Sequence, residues 1–253
     1  PITMNLLKQK LIKSLLVNVR MSPKSFKKWN KIRFFYKQMT DCFSEIFAQS
    51  QLDRERIIKL TDRKIEFVGN LKLSSVSNFK ESIFDENLRN FHKGKILMLA
   101  STHEDEELKF LPIIKRLLSQ ISGLKIIIAP RHPERSSSIL SIYQNSGIST
   151  KFIDESNNFI EDVLIVNNFG NLPFYFDISD IVFLGGSFVN KGGHNPIEPA
   201  INSCVIITGP HIYNWQNIYE DMLENDACLL FSKIDKLEKN ITKLLSDTNK
   251  INK

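Results

Sequence analysis

The chain has 253 residues and a mass of 29.2 kDa, with 42% hydrophobic and 25% charged residues, which excludes disorder and collagen-like order and leaves room for one large domain or two small ones. Three cysteines, Cys42, Cys204 and Cys228, are too few and too far apart for a disulfide framework or a Cys-rich zinc site, and they point to a reducing compartment. The formal charge of +6 is uneven: residues 1–72 hold 16 Lys and Arg against 6 Asp and Glu, a net of +10, and the remaining 181 hold 18 against 22, a net of −4. The basic first part suits an anionic partner such as a nucleic acid, a membrane surface or a phosphorylated substrate.

In chain order, the sequence predicts a helix over Leu6-Lys13, a strand over Leu15-Val19, helices over Tyr36-Phe47 and Leu52-Leu60, and a strand over Ile65-Val68. After a polar stretch come a strand at Ile96-Ala100, a helix at Glu106-Gln120, a strand at Ile126-Ala129, a helix at Ser136-Asn145, and strands at Val163-Val166 and Ile181-Leu184. A helix over Pro196-Asn202, a strand over Val205-Thr208 and helices over Trp215-Asn225 and Ile234-Leu245 complete the pattern. The strands are apolar throughout rather than alternating, as parallel strands buried on both faces are. The fold class is therefore α/β with an open parallel sheet. The polar segment Ser74 to Lys95 places a domain boundary near residue 75, giving domains 1–74 and 75–253. The first holds only two clear strands, a thin core for an independent domain. No apolar run approaches the roughly 18 to 20 residues of a membrane span. The opening Pro1-Ile2-Thr3-Met4 has no signal-peptide pattern, and a chain that starts on Pro reads as a piece of a longer one.

Ligands of open parallel sheets bind beyond the carboxyl ends of the strands, so the residues after each strand carry the functional information. Ser101-Thr102-His103-Glu104-Asp105-Glu106-Glu107 follows the strand at 96–100. A capping Ser or Thr with first-turn acids explains all of it except His103. Pro130-Arg131-His132-Pro133-Glu134-Arg135 follows the next strand and is a stiff cationic loop suited to a carboxylate or phosphate, or else a solvated turn. The richest segment runs from Gly185-Gly186-Ser187-Phe188 to Gly192-Gly193-His194-Asn195-Pro196-Ile197-Glu198-Pro199. Paired glycines let backbone amides face an anion. Asn195 fits an N-cap, Pro196 the first helical position and Glu198 the third, a helix start suited to phosphate, with Glu198 suited to ribose hydroxyls.

From Arg20 to Lys37 there are seven Lys or Arg and no acid, interleaved with Phe26, Trp29, Phe34, Phe35 and Tyr36. This pattern suits single-stranded nucleic acid or a membrane interface, or a solvated basic face over core aromatics. Nucleic-acid binding would leave the strand-end loops without a role. No strand-end Asp-x-Asp, His-x-x-x-His or phosphate-loop sequence is present, so no metal site or cofactor is expected.

Six segments in order, Val17-Asn18-Val19-Arg20-Met21-Ser22, Gly69-Asn70-Leu71-Lys72, Ser101-Thr102-His103-Glu104, Pro130 to Arg135, Gly185-Gly186-Ser187 and Gly192 to Pro199, resemble those of bacterial 3-deoxy-D-manno-octulosonic acid (Kdo) transferases. The resemblance implies a GT-B glycosyltransferase type: a Rossmann-like donor domain for CMP-Kdo, preceded by the C-terminal part of a Rossmann-like acceptor domain on the lipid A side. It implies inverting, metal-independent transfer of Kdo to a lipid A precursor (lipid IVA) in lipopolysaccharide synthesis, at the cytoplasmic face of the inner membrane, with an anionic membrane surface as peripheral partner and no nucleic acid. The donor-binding residues implied are Ser101, Thr102, His103, Arg131, His132, Arg135, Gly170, Gly185, Gly186, Ser187, Asn195 and Glu198. Arg131 and Arg135 would neutralise carboxylate or phosphate, and Gly185-Gly186-Ser187 would cradle the leaving phosphate. Arg20 and Lys72 would face the cleft from the acceptor side.

The family's catalytic glutamate loop and membrane anchor would lie upstream of Pro1, and its final helix beyond Lys253, so the chain alone is expected to transfer little. The family's Asp-Thr-x-Gly-Glu-Leu segment reads Asn167-Asn168-Phe169-Gly170-Asn171-Leu172, with both acids replaced by Asn. The alternative reading is a non-catalytic remnant of an interrupted gene, at most a nucleotide-binding or membrane-contact module.

Overall fold

The computed structural model describes residues 2–69, 94–153, 160–168, 170 and 172–246. The chain divides into two compact units, Pro1–Phe79 and Lys80–Lys253. Lys72 and the expected boundary near residue 75 lie outside the described residues.

In the first unit, α1 (Ile2–Gln9), β1 (Leu15–Val19), α2 (Pro23–Lys31), α3 (Arg33–Thr40), β2 (Glu45–Ala48), α4 (Gln51–Thr61) and β3 (Glu66–Phe67) follow one another. The three strands form a parallel sheet in the order β1-β2-β3. Three expectations change here. The first helix, expected over Leu6-Lys13, lies four residues earlier, over Ile2–Gln9. A separate helix, α2, starts at Pro23 because Ser22 Oγ accepts the Ser25 N–H at 3.1 Å and Pro23 needs no N–H in the first turn. The helix expected over Tyr36-Phe47 ends at Thr40, where Thr40 Oγ1 bonds back to the Tyr36 and Lys37 carbonyls; residues 45–48 form β2 instead, with Ile46 and Ala48 turned into the core.

The aromatics of the basic stretch divide between core and surface. Tyr36 is buried, and Phe26 and Trp29 pack against the same core as Ile57 and Leu60. Phe34 and Phe35 are 75% and 66% exposed.

The second unit contains β4 (Ile96–Thr102), α5 (Glu106–Gln120), β5 (Lys125–Pro130), α6 (Ser136–Asn145), β6 (Thr150–Phe152), β7 (Val163–Ile165), α7 (Leu172–Ile178), β8 (Ile181–Leu184), α8 (Ile197–Ile201), β9 (Val205–Thr208), α9 (Gln216–Glu224), β10 (Leu229–Leu230) and α10 (Leu237–Ser246). Its seven strands are all parallel, in the order β10-β9-β8-β4-β5-β7-β6. The expected strands recur with shifts of a residue or two; β6, β10 and α7 are additional.

The continuous apolar character of the strands has a direct structural counterpart. Alternate residues enter opposite layers: Leu97, Leu99, Ile126, Ile128 and Phe183 pack with Phe110, Ile114 and Ile241, while Met98, Ala100, Ile127, Val182 and Leu184 pack with Phe174, Tyr175 and Tyr219. Both faces are covered, and each fully buried Leu, Ile or Phe contributes about 1.5–3 kcal/mol. The seven-stranded sheet starts in the middle at β4, builds outward through β5, then returns to the other side of β4 with β8. The reversal between β4 and β8 opens a crevice at their carboxyl ends, where ligands of such sheets bind.

Candidate functional site

β4 is irregular at its end, where its register against β5 shifts between Ala100 and Thr102, with Ser101 at φ 55° and Thr102 fully buried. Ser101 and Thr102 thus belong to the strand end rather than capping α5, whose first turn follows Asp105. The Thr102 carbonyl accepts the Arg131 N–H at 2.9 Å, tying the β5 loop to β4, and Thr102 Oγ1 is buried with no hydrogen-bond partner among the described residues. On the other side of the crevice, Gly185 N–H donates to the Ala100 carbonyl at 2.8 Å. A Cβ on Gly185 would stand 2.6 Å from Thr102 Cα, so β8 lies against β4 only because position 185 has no side chain.

The Gly185-Gly186-Ser187 turn differs from its expected role as a phosphate cradle. Its amides already hold an anion, the carboxylate of Glu106. Glu106 Oε2 accepts the His103 N–H at 3.0 Å and the Gly186 N–H at 2.7 Å; Oε1 accepts the Ser187 and Phe188 N–H groups at 3.1 and 3.0 Å. The residue is completely buried. Burial pushes its carboxyl above the usual range, opposed by the four backbone donors. Four converging N–H groups leave no acceptor for a carboxyl proton. Ser187 is likewise internal: its Oγ donates to the Leu184 carbonyl and accepts the Gly209 N–H at 2.8 Å.

Arg135 also has a different assignment from the one expected. Its two terminal nitrogens bind the Glu107 carboxylate at 2.9 and 3.0 Å, and the Glu107 side chain is only 3% exposed. This bidentate bridge joins the start of α5 to the turn before α6. Arg131 and His132 remain exposed.

Three imidazoles meet at the crevice. His103 Nε2 and His194 Nε2 are 2.9 Å apart with rings 11° from parallel, and His132 meets His103 edge-on at 5.9 Å between centroids. Burial first, then His103, Arg131 and His132, push His194 down to about 4; burial, Lys191, His132 and both arginines lower His103. Both shifts favour neutral imidazoles, and the contact requires one Nε2 to donate and the other to accept.

Helix α8 starts at Ile197, with Pro196 just before it rather than in its first turn. Asn195 still organises that start: Oδ1 accepts the Ile197 N–H at 3.1 Å and Nδ2 donates to Glu198 Oε1 at 2.8 Å. Gly170 is exposed at φ 104°, and Arg20 is exposed at the end of β1 in the first unit. His194, Glu106 and Lys191 join the crevice although sequence reasoning did not select them. The sequence signal for His194 was its place inside the Gly-Gly-His-Asn motif, whereas Glu106 looked like an ordinary first-turn acid. Among the described residues no group of three or more His, Cys, Asp or Glu is placed to hold a metal ion.

Residues 1–75 match the sequence profile of the 3-deoxy-D-manno-octulosonic-acid transferase (kdotransferase) family. Over 241 residues the chain is 36% identical to the 3-deoxy-D-manno-octulosonic acid transferase of Rickettsia bellii, covering 93% of this chain and 57% of that protein. The chain is a homologue of the Kdo transferases. This Kdo-transferase homologue spans about half the length of the curated relatives it matches. Its fold resembles the C-terminal CMP-Kdo binding domain of WaaA from Acinetobacter baumannii, with a TM-score of 0.57 at 23% identity over 69% of this chain and 88% of that one. It also resembles a glycosyltransferase from Rickettsia africae, with a TM-score of 0.56 at 12% identity over 97% and 69%. The two helix-flanked parallel sheets of the homologue are of the Rossmann-like kind found in GT-B glycosyltransferases.

Proposed function

We propose that this chain carries the CMP-Kdo side of a Kdo transferase, with residues 75–253 as the donor domain and residues 1–74 as part of the acceptor domain. The reaction is inverting transfer of Kdo from CMP-Kdo to a lipid A precursor, lipid IVA, at the cytoplasmic face of the inner membrane. The observation that carries the reading is the convergence of His103, His194, His132 and Arg131 on the β4/β8 crevice, where the Nε2 atoms of His103 and His194 meet at 2.9 Å, His132 stands edge-on to His103, and the Thr102 carbonyl holds the Arg131 N–H. As the bond from the anomeric carbon to the phosphate oxygen breaks, negative charge grows on the departing CMP. Arg131 and Lys191 offset that charge, and the neutral imidazole that accepts at Nε2 has its Nδ1 proton left to donate at no reorganisation cost. Glu198, with Oε1 held by Asn195, keeps its other oxygen for ribose hydroxyls. Arg135 and the Gly185-Gly186-Ser187 turn support this arrangement from behind.

The acceptor side draws on the first unit. Lys24, Lys27, Lys28 and Lys31 are exposed on α2, close in sequence to exposed Ile32, Phe34 and Phe35. This combination suits an anionic lipid surface. Among the described residues no helix is long and apolar enough to cross a membrane.

The deciding experiment is binding of CMP by calorimetry, with thermal unfolding as a second readout. CMP should bind and raise the melting temperature, and Arg131→Ala should weaken binding about tenfold or more without lowering stability. No CMP binding, or wild-type affinity in Arg131→Ala, would overturn the assignment.

A further inference from the structure

The crevice is shaped by an anion of the protein's own. Glu106 begins α5, yet its side chain reaches across the sheet reversal and binds amides 80 to 82 residues further along the chain. The same Oε2 that takes the Gly186 N–H takes that of His103. Gly186 in turn lies beneath both imidazoles: a Cβ there would stand 3.2 Å from His103 Cδ2 and 3.3 Å from His194 Nε2. One carboxylate thus fixes the backbone of His103 and the surface on which the His103 and His194 rings rest. It also fills the amide concavity that a substrate phosphate would otherwise enter.

We propose that Glu106 is a positioning residue of the donor site, an internal carboxylate that closes the glycine-turn amides to substrate, aligns the His103 and His194 imidazoles, and leaves the substrate anion to the exposed Arg131 edge. Capping of α5 does not account for its contacts, because three of its four donors belong to the turn after β8. A neutral amide cannot replace it. Glutamine would set an NH2 group against two backbone N–H donors, whichever way it turned.

The consequence for CMP affinity rests on the CMP-Kdo reading; the consequence for the histidines does not. Glu106→Gln and the shorter Glu106→Asp, both in the full 253-residue chain, are compared with the wild type by proton and nitrogen NMR of the imidazoles and by CMP calorimetry. In the wild type the shared His103–His194 Nε2 proton should be observable and protected from solvent exchange. In both variants that signal should disappear, and CMP affinity should fall roughly tenfold or more, the loss expected when a charge-assisted hydrogen-bond network is broken. In Glu106→Ala, formate should enter the vacated amides and restore the signal. Ile241→Ala, a core change on α10, whose hydrogen bonds to α5 are at Arg116 and Gln120 and not at Glu106, controls for stability loss and should leave the signal in place.

A folded Glu106 variant that keeps the shared proton, or a folded Glu106→Ala that formate leaves unchanged, would overturn the positioning role. Failure of the wild type to bind CMP would overturn the donor-site reading alone, since the histidine signal still tests Glu106.

Discussion

His103 and His194, 91 residues apart in sequence, share a 2.9 Å contact between their Nε2 atoms across the reversal of the sheet. One nitrogen must donate and the other accept, so a second proton on this pair would break the contact. His194 is correspondingly pushed down to about 4 by burial and neighbouring positive charge. In the unfolded chain the same group returns to about 6.5. Between those values the unfolded state binds more protons than the folded one, so stability is complete above pH 6.5 and declines as the pH falls toward 4. The loss from His194 amounts to no more than about 3 kcal/mol. Urea unfolding between pH 7.5 and 4.5 should show this decline, and His194→Asn should flatten it; equal slopes would refute it.

Arg131 and Arg135 sit four residues apart but should respond in opposite ways. Arg135→Ala strands the buried Glu107 carboxylate and should cost about 3 kcal/mol or more of stability. Partial recovery in the double variant with Glu107→Gln would identify the lost pair as the cause. Equal stability of Arg131→Ala and Arg135→Ala would contradict the division of labour.

Asn195 and Glu198 separate structural from ligand effects. Asn195→Ala removes the acceptor for the Ile197 N–H and should cost about 1 kcal/mol. Glu198→Gln retains an oxygen for Asn195 Nδ2, so its stability should stay near the wild type while CMP affinity falls several-fold. Unchanged CMP affinity in that variant would remove the ribose contact.

Gly185 is required for lack of volume rather than for an unusual backbone angle. Gly185→Ala would press a methyl group against Ser101 and Thr102 backbone atoms, which cannot turn away as a side chain can. Denaturation should show a loss of about 1–3 kcal/mol. Wild-type stability would mean that β8 and β4 separate more readily than the geometry implies.

The exposed lysines of α2 should act additively on membranes. Replacing Lys24, Lys27, Lys28 and Lys31 by Gln should weaken binding to phosphatidylglycerol vesicles by up to about 1 kcal/mol per lysine, with a smaller salt dependence. Phe34→Ser with Phe35→Ser should reduce binding while leaving the salt dependence unchanged. Vesicle binding unaffected by either set would exclude this surface.

Much of this protein is determined locally. Apolar strands such as Ile96-Ala100 and Ile181-Leu184 need cover on both faces, which specifies a parallel sheet between helices, and the Gly, Pro, Arg and His residues at their carboxyl ends mark the edge that carries the site. Helix α2 is equally local, encoded in Ser22 and Pro23 among the surrounding lysines, whereas the four residues of β2 hold too little periodicity to compete with the helical pattern before them. Which charges of each motif are satisfied inside the fold was decided only by the tertiary structure. Arg135 carries a charge expected at an anion site and Glu106 reads as a first-turn acid, yet each is satisfied by a partner from another strand end, at Glu107 and at Gly186–Phe188. Sequence supplies the inventory of charges and their strand ends; distance in three dimensions decides which charges neutralise one another inside the fold and which, like Arg131, stay exposed.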